Sequence, residues 1–412
     1  MARYRIGSLT IESSDGTFQE ALKAAYAKRV RPICLCREGE ENTGENKGIE
    51  MCVARTGERY HCRRWPGGAK NHSINCHSHE IDPRLTAYGA LKTGSAISHK
   101  GDCTILKVAF PLTEGGRLPS PGDVKAAYQS APDKRLGMKA LLHYLWDQAG
   151  LTNFPPEEPG GLNWKIVADK LRGAAANTKV GSWDFSSLLF VPDGDVGDSA
   201  RLLQLRNERS LEADTKGKRA PLLLFVALYE SHESYPDVEG IPDVRVQFAQ
   251  SIYVNVARPA TKNRSSDRIN LFERRLQKEL DLKSGPANLK IVLLGTLGIR
   301  TSILPGQVES QNSIIDCVGM LVDSNWLPVE DLEHKKFQDY LLNGRSWFRV
   351  NLSFNEPDRG IRPACVIFTN KEILGYIGWP PDSVLKYLKE QPQDVWIWNR
   401  DEGREGPPLF LV

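Results

Sequence analysis

Five of the eight cysteines and four of the eight histidines fall between Cys34 and His79. The pair Cys34 and Cys36 in C-L-C and the pair His72 and Cys76 in H-S-I-N-C together offer three thiolates and one imidazole. That donor set suits tetrahedral zinc. Each pair is short enough to reach one ion, and a hairpin between them folds the chain back so that the pairs meet. No acidic residue adjoins a ligand as the glutamate does in H-E-x-x-H, so the expected ion is structural and not catalytic. Cys52, His61, Cys62, His77 and His79 compete as ligands. Pairing Arg55 with Arg59 across T-G-E sets Cys52 directly opposite Cys62, which reads mainly as cross-strand packing. Against all of this stands the plainer reading, in which the thiols are small buried apolar groups and the histidines satisfied surface residues.

Basic residues form a second set. Arg63, Arg64 and Lys70 lie among the ligands, while R-P-A-T-K-N-R-S-S-D-R carries Arg258, Lys262, Arg264 and Arg268 into a helix bearing Arg274 and Arg275. Such a run can track a phosphate backbone, and a solvated loop and helix face is its bland alternative. Asp316, Asp323, Glu330 and Glu333 could line a small acidic cleft, although surface charge explains them as well. Gly295 and Gly298 stand where a phosphate loop would be, but no G-K-[ST] follows. With no G-x-S-x-G or H-E-x-x-H, no catalytic residue is assigned, and His143 and His232 read as packed or exposed histidines.

The elements that must position these residues follow from apolar periodicity. Tyr4, Ile6, Leu9 and Ile11 predict a hairpin, and Thr17 with Glu20 has the form of a capping box ahead of a helix through Leu22 and Ala25. Leu141, Leu142, Leu145 and Ala149 share one helical face that ends at Gly150; a second helix turns Val167, Ala168 and Leu171 inward, and the two could form a winged or helix-turn-helix module. P-L-L-L-F-V-A-L-Y-E and L-K-I-V-L-L-G-T-L-G read as buried strands, V-R-V-Q-F-A-Q-S-I-Y-V-N-V as an alternating strand or pair, and a later helix buries Leu332, Phe337 and Leu341. The expected architecture is α+β and multidomain. Residues 1–114 form a zinc-binding hairpin module, 123–195 a helical module, and 218–412 a mixed α/β region divisible at 322.

Size and charge bound the rest. At 412 residues the chain suits two to four domains, and 54 Lys plus Arg against 51 Asp plus Glu, a net +3, names no partner class. No signal peptide or membrane-spanning stretch is visible, so a cytoplasmic protein with reduced thiols and no membrane partner is expected.

Several segments together resemble an uncharacterised bacterial family known as domain of unknown function 1173. They are R-P-I-C-L-C-R from Arg31, M-C-V-A-R-T-G-E-R-Y, R-R-W-P-G-G from Arg63, H-S-I-N-C from His72, L-L-H-Y-L-W-D-Q-A-G from Leu141 and N-W-L-P-V-E from Asn325. The resemblance implies Cys34, Cys36, His72 and Cys76 as the prominent set, and a setting on plasmids and integrated elements. It supplies no reaction. More distantly, Glu330 to Trp379 looks like a restriction-endonuclease-type core in which Glu330 or Glu333 stands for the helical glutamate. Asn370 falls where that fold wants an aspartate, so the copy looks degenerate.

The reading that follows is a non-catalytic, zinc-stabilised factor of a mobile element that binds duplex DNA or another nucleic acid, or assembles with other proteins of that element. A metal-dependent nuclease built on the four carboxylates and a protein-interaction scaffold are the alternatives.

Overall fold

The computed structural model describes residues 2–38, 48–56, 59–65, 68, 71–73, 76, 78–79, 91, 96–100, 103–113, 135–155, 161–194, 197–215, 222–236, 242–249, 252–256, 267–285, 287–304, 307–344, 346–352, 363–368, 372–377 and 394–398. These residues form an α+β protein, mostly strands in several sheets with helices packed on them. The linker at 115–122, the final helix, Lys70, His77, Arg258, Lys262, Arg264 and Asn370 lie outside the described residues, as does the side chain of Arg268.

The N-terminal hairpin forms as its alternation predicts, with Arg3–Ile6 paired to Leu9–Glu12 and Tyr4 and Ile11 buried. Ile33–Cys34 joins its free edge, followed by the hairpin Ile49–Thr56 and Arg59–Arg64. The register of that hairpin differs from expectation. Thr56 pairs with Arg59, so Cys52 faces Arg63, and Cys62 faces Val53. A two-residue connection closes the turn instead of three, and a slip of one residue puts the two cysteines on opposite faces. The capping box is also absent: Thr17 bonds Asp15 Oδ1 through both its N–H, at 2.8 Å, and its hydroxyl, at 2.7 Å. Asp15, two residues earlier, forms a local turn that competes with the cap.

The helix Met138–Gln148 is buried almost all round, from Leu141 and Leu142 to Tyr144, Leu145 and Trp146, where a single inward face was expected. It packs between the helix Trp164–Ala175 and the strands Lys290–Leu304 and Gln307–Val322. Gly150 ends it at φ +71°, a conformation that favours glycine. One apolar core joins Leu145, Val167 and Leu171 to Leu294, Met320, Phe337 and Phe348, so the middle and C-terminal stretches share an interior.

Five strands close on themselves. Leu223–Pro236 pairs with Pro242–Phe248, which pairs with Tyr253–Val256; that strand runs parallel to Gln307–Val322, which pairs with Lys290–Leu304, which returns to the first. The helix Asp267–Lys283 lies between the third and fourth strands in sequence and sends Phe272 and Leu276 into the barrel's core. Alternation explains the continuous apolar run of the first strand: Leu223, Phe225, Ala227 and Tyr229 face the barrel core, while Leu224 and Val226 face the shared core behind it. Gly295 permits the tight wall, since a Cβ there would sit 2.5 Å from the Asp316 carbonyl and 2.6 Å from the Phe225 ring. It belongs to a continuous strand and to no phosphate loop.

The last sheet runs Asn153–Phe154, Trp347–Val350, Cys365–Phe368, Glu372–Ile377, Asp394–Trp398, with only the final pairing parallel. Against it the helix Leu332–Asn343 buries Phe337 and Leu341, while Leu332, in the first turn after the Asp331 cap, is 40% exposed instead of buried.

Candidate metal centre

Cys34 ends a sheet strand and Cys36 follows it in a turn fixed by the bonds from Leu35 N–H to Arg3 O and from Glu38 N–H to Leu35 O. Opposite, a second turn carries His72 and Cys76, held by Cys76 N–H to Ser73 O at 2.9 Å and His79 N–H to Cys76 O at 2.8 Å. The four donor atoms lie within 4.8 Å of one another. Cys34 Sγ is 3.8 Å from Cys76 Sγ, and His72 Nδ1 is 3.5 Å from Cys36 Sγ and 3.4 Å from Cys76 Sγ. Bonds of about 2.3 Å to sulfur and 2.0–2.1 Å to nitrogen give tetrahedral edges of roughly 3.8 Å and 3.5 Å, so these spacings match a zinc coordination sphere.

The surroundings favour ligation. Ser73 N–H points at Cys36 Sγ, 3.3 Å away, and Ser78 N–H at Cys76 Sγ, 3.4 Å away, each a donor that steadies a thiolate. Hydrogen bonds from the Cys34 and Cys76 thiols hold Cys36 well below the ordinary thiol pKa. Cys34, through its bond to Cys36, is pushed up to about 12, and Cys76 is raised by both neighbours. One thiolate forms readily, and three together require a cation. His72 is buried, and its Nε2 meets no protein partner among the described residues, which leaves Nδ1 as the donor facing the sulfurs.

Three of the competing ligands, Cys52, Cys62 and His61, are not members of this cluster. The Cys52 thiol lies on the carbonyls of Arg63 and Arg64 at 3.5 and 3.4 Å. Cys62 packs at the edge of the small core around Tyr4, Cys34 and Met51. His61 lies against Gly173 of the helix Trp164–Ala175. His79 supports the cluster from behind, its Nδ1 3.0 Å from the His72 carbonyl.

A network that the sequence did not reveal joins the cluster to the body of the molecule. Arg349 donates to the His79 carbonyl at 2.7 Å and to the buried Asp147 carboxylate, which also takes Arg64 at 3.3 Å. Burial alone would raise the Asp147 pKa, yet the guanidinium groups of Arg349 and Arg64 hold it below the usual carboxylate range. Arg63 donates to the Ala176 carbonyl. Both arginines proposed to meet phosphate are thus engaged inside the chain. Of the other basic candidates, Arg274 is exposed, and Arg275 pairs with Asp316 on the barrel wall.

The four carboxylates do not gather. Asp316 and Asp323 lie about 20 Å apart along one strand direction. Asp323 is buried and accepts the N–H groups of Asn325 and Leu327, at 2.8 and 2.9 Å; Glu333 pairs with Lys336, and Glu330 lies near buried His143. Among the described residues, Cys34, Cys36, His72 and Cys76 are the cluster able to hold a metal ion, and no helix is long and apolar enough to cross a membrane.

Fold and site together define an α+β protein with a partly buried three-cysteine, one-histidine cluster close to its N-terminus. The chain belongs to the family described as Protein of unknown function (DUF1173), whose sequence pattern matches residues 4–376 and so takes in the cluster, the barrel and most of the last sheet. No curated protein and no solved structure matches the chain.

Proposed function

We propose that Cys34, Cys36, His72 and Cys76 hold one structural zinc ion, and that the chain is a non-catalytic nucleic-acid-binding or nucleoprotein-assembly factor of a bacterial mobile element, working in the cytoplasm where its thiols stay reduced. The observation that carries the zinc reading is the convergence of four protein donors within 4.8 Å of one another, three of whose separations fit tetrahedral edges. Four protein ligands leave no position for substrate or water, which separates a structural from a catalytic zinc. The ion would supply positive charge to three crowded thiolates and cross-link two turns far apart in sequence.

The nucleic-acid reading draws support from the closed five-stranded barrel, an architecture shared with oligonucleotide-binding OB-type barrels. Fold alone assigns no activity, so the surface chemistry must carry the reading. Exposed Arg274 on the helix packed against the barrel, and the density of Lys and Arg in the sequence from Arg258 to Arg268, supply cations to this reading. The last sheet, with three antiparallel neighbours and a parallel fourth, is compatible with a restriction-endonuclease-type core, one without a gathered set of acids. In the middle unit Arg172 is tied to Asp169 and Asp193, which suits packing better than insertion into a DNA groove.

Elemental analysis should return one zinc per chain, lost in Cys76→Ser together with thermal stability. Anisotropy should show nucleic-acid binding that weakens steeply between about 50 and 200 mM salt. A fully stable metal-free protein would refute the zinc site, and failure to bind any DNA or RNA would refute the nucleic-acid role.

A further inference from the structure

The N-terminal sheet has two faces, and the metal cluster uses one of them. Tyr4, Cys34 and Met51 pack together on the cluster side, with Cys36 and Cys76 at the edge of that small core. Register then sets Arg5, Ile33 and Glu50 in a row across the opposite face. There the structure holds a cavity of about 530 Å³, to which Leu35 and Trp65 contribute apolar surface and Arg5, Arg37 and Asn71 polar groups. Behind it Arg31 fixes the Trp65 ring, its guanidinium carbon 4.0 Å from the ring centre. Both ligand-bearing turns help to build the cavity, since Leu35 lies between Cys34 and Cys36, and Asn71 precedes His72.

The charges around this cavity do not cancel. Its two acids are already matched, Glu38 by Arg3 and Glu50 by Arg31 at 2.6 Å. Arg37 donates to the Asn71 carbonyl at 3.4 Å. Arg5 is exposed and makes no hydrogen bond or ion pair among the described residues, and the side-chain amide of Asn71 is likewise unengaged. A metal cation finds no unpaired carboxylate here. A bare inorganic anion would satisfy Arg5 and leave Leu35 and Trp65 uncovered, whereas an uncharged ring would cover them and leave the arginine unanswered. The arginine fork matches carboxylate and phosphate, the indole suits a flat partner, and the volume falls within the range of small-molecule sites.

The structure assigns this cavity to a small organic anion with a flat aromatic or heterocyclic body. Its ring lies against Trp65 and Leu35, its carboxylate or phosphate meets Arg5, and the Asn71 amide hydrogen-bonds a polar edge of the ring. The inference goes beyond the nucleic-acid reading, because the site is sized for a single small molecule and takes no part of a duplex.

The test is isothermal titration calorimetry on the purified full chain with two matched pairs of probes. Indole-3-acetate and tryptamine share a ring and carry opposite charge; adenosine 5′-monophosphate and adenosine share a ring and differ by the phosphate. At least one of the two anions should bind with a Kd below about 1 mM, and the stronger one tells carboxylate from phosphate. Its uncharged or cationic counterpart should bind at least about 10-fold more weakly. Arg5→Glu should weaken the anion about 10- to 100-fold, while Arg5→Lys, which keeps the charge, loses less. Asn71→Asp, on the other turn, places a carboxylate in the cavity and should weaken the anion as well, so the result does not hang on one strand. All three variants should melt with the parent protein, since both side chains are exposed. Failure of both anions to bind would overturn the inference. So would tryptamine or adenosine binding as tightly as its anionic counterpart, or an affinity unchanged in both Arg5→Glu and Asn71→Asp.

Discussion

Asp147 is the most consequential residue outside the metal cluster, because its carboxylate lies between Arg349 and Arg64 in a water-excluded position. Removing the acid leaves a buried guanidinium uncompensated, so Asp147→Ala should cost about 3–5 kcal/mol, read as a lower urea midpoint at unchanged slope. His143 poses the opposite problem. Burial pushes its pKa down from 6.5 to about 3, so the folded protein holds it neutral while the unfolded chain protonates it. Its contribution is complete above about pH 6.5 and is lost as pH falls toward 3, at up to about 1.4 kcal/mol per pH unit. Urea midpoints from about pH 4.5 to 7 should therefore fall with acid in the parent protein and fall less in His143→Gln; parallel curves would refute this account.

At the scale of elements, the barrel wall depends on close approach between strands. The Lys290–Leu304 and Gln307–Val322 pair slips register between Thr296 and Leu297, next to Gly295, where the wall is tightest. A methyl group there meets backbone and a packed ring, neither of which moves cheaply, so Gly295→Ala should destabilise the protein by about 1–3 kcal/mol. A thermal melt indistinguishable from the parent would show that the wall can relax. The hairpin of Ile49–Thr56 and Arg59–Arg64 rests on comparable fits: His61 reaches the surface left by Gly173, and Arg63 the carbonyl at the end of the same helix. His61 is itself held neutral by burial, which lowers its pKa to about 4.

For the whole molecule, the chain of contacts from His72 through His79 to Arg349 and Asp147 ties the cluster to the shared core. Loss of the metal should release the two turns that carry the ligands and weaken this attachment, whereas the barrel has its own closed hydrogen bonding and its own core. Hydrogen exchange after chelation should accordingly speed up around residues 33–36, 71–79 and 347–350 and stay slow in the strands at 223–229 and 291–297. Uniform loss of protection would mean that the metal holds the entire fold.

Much of this was legible in the chain, and the limits are physical. That Cys34, Cys36, His72 and Cys76 gather could be read directly, because each pair is local and thiolate and imidazole chemistry is carried by residue type. The same held for the hairpin at Tyr4, the helices through Leu145 and Leu171, and the α+β class, since periodicity records which face each element buries. Register, closure and burial of charge were decided only in three dimensions. A one-residue change in turn length moved Cys52 away from Cys62, and pairing between strands far apart in sequence closed the barrel. That closure turned Tyr253 and Arg245 outward together, while Arg64, one more surface cation by composition, found its partner in Asp147, 83 residues away.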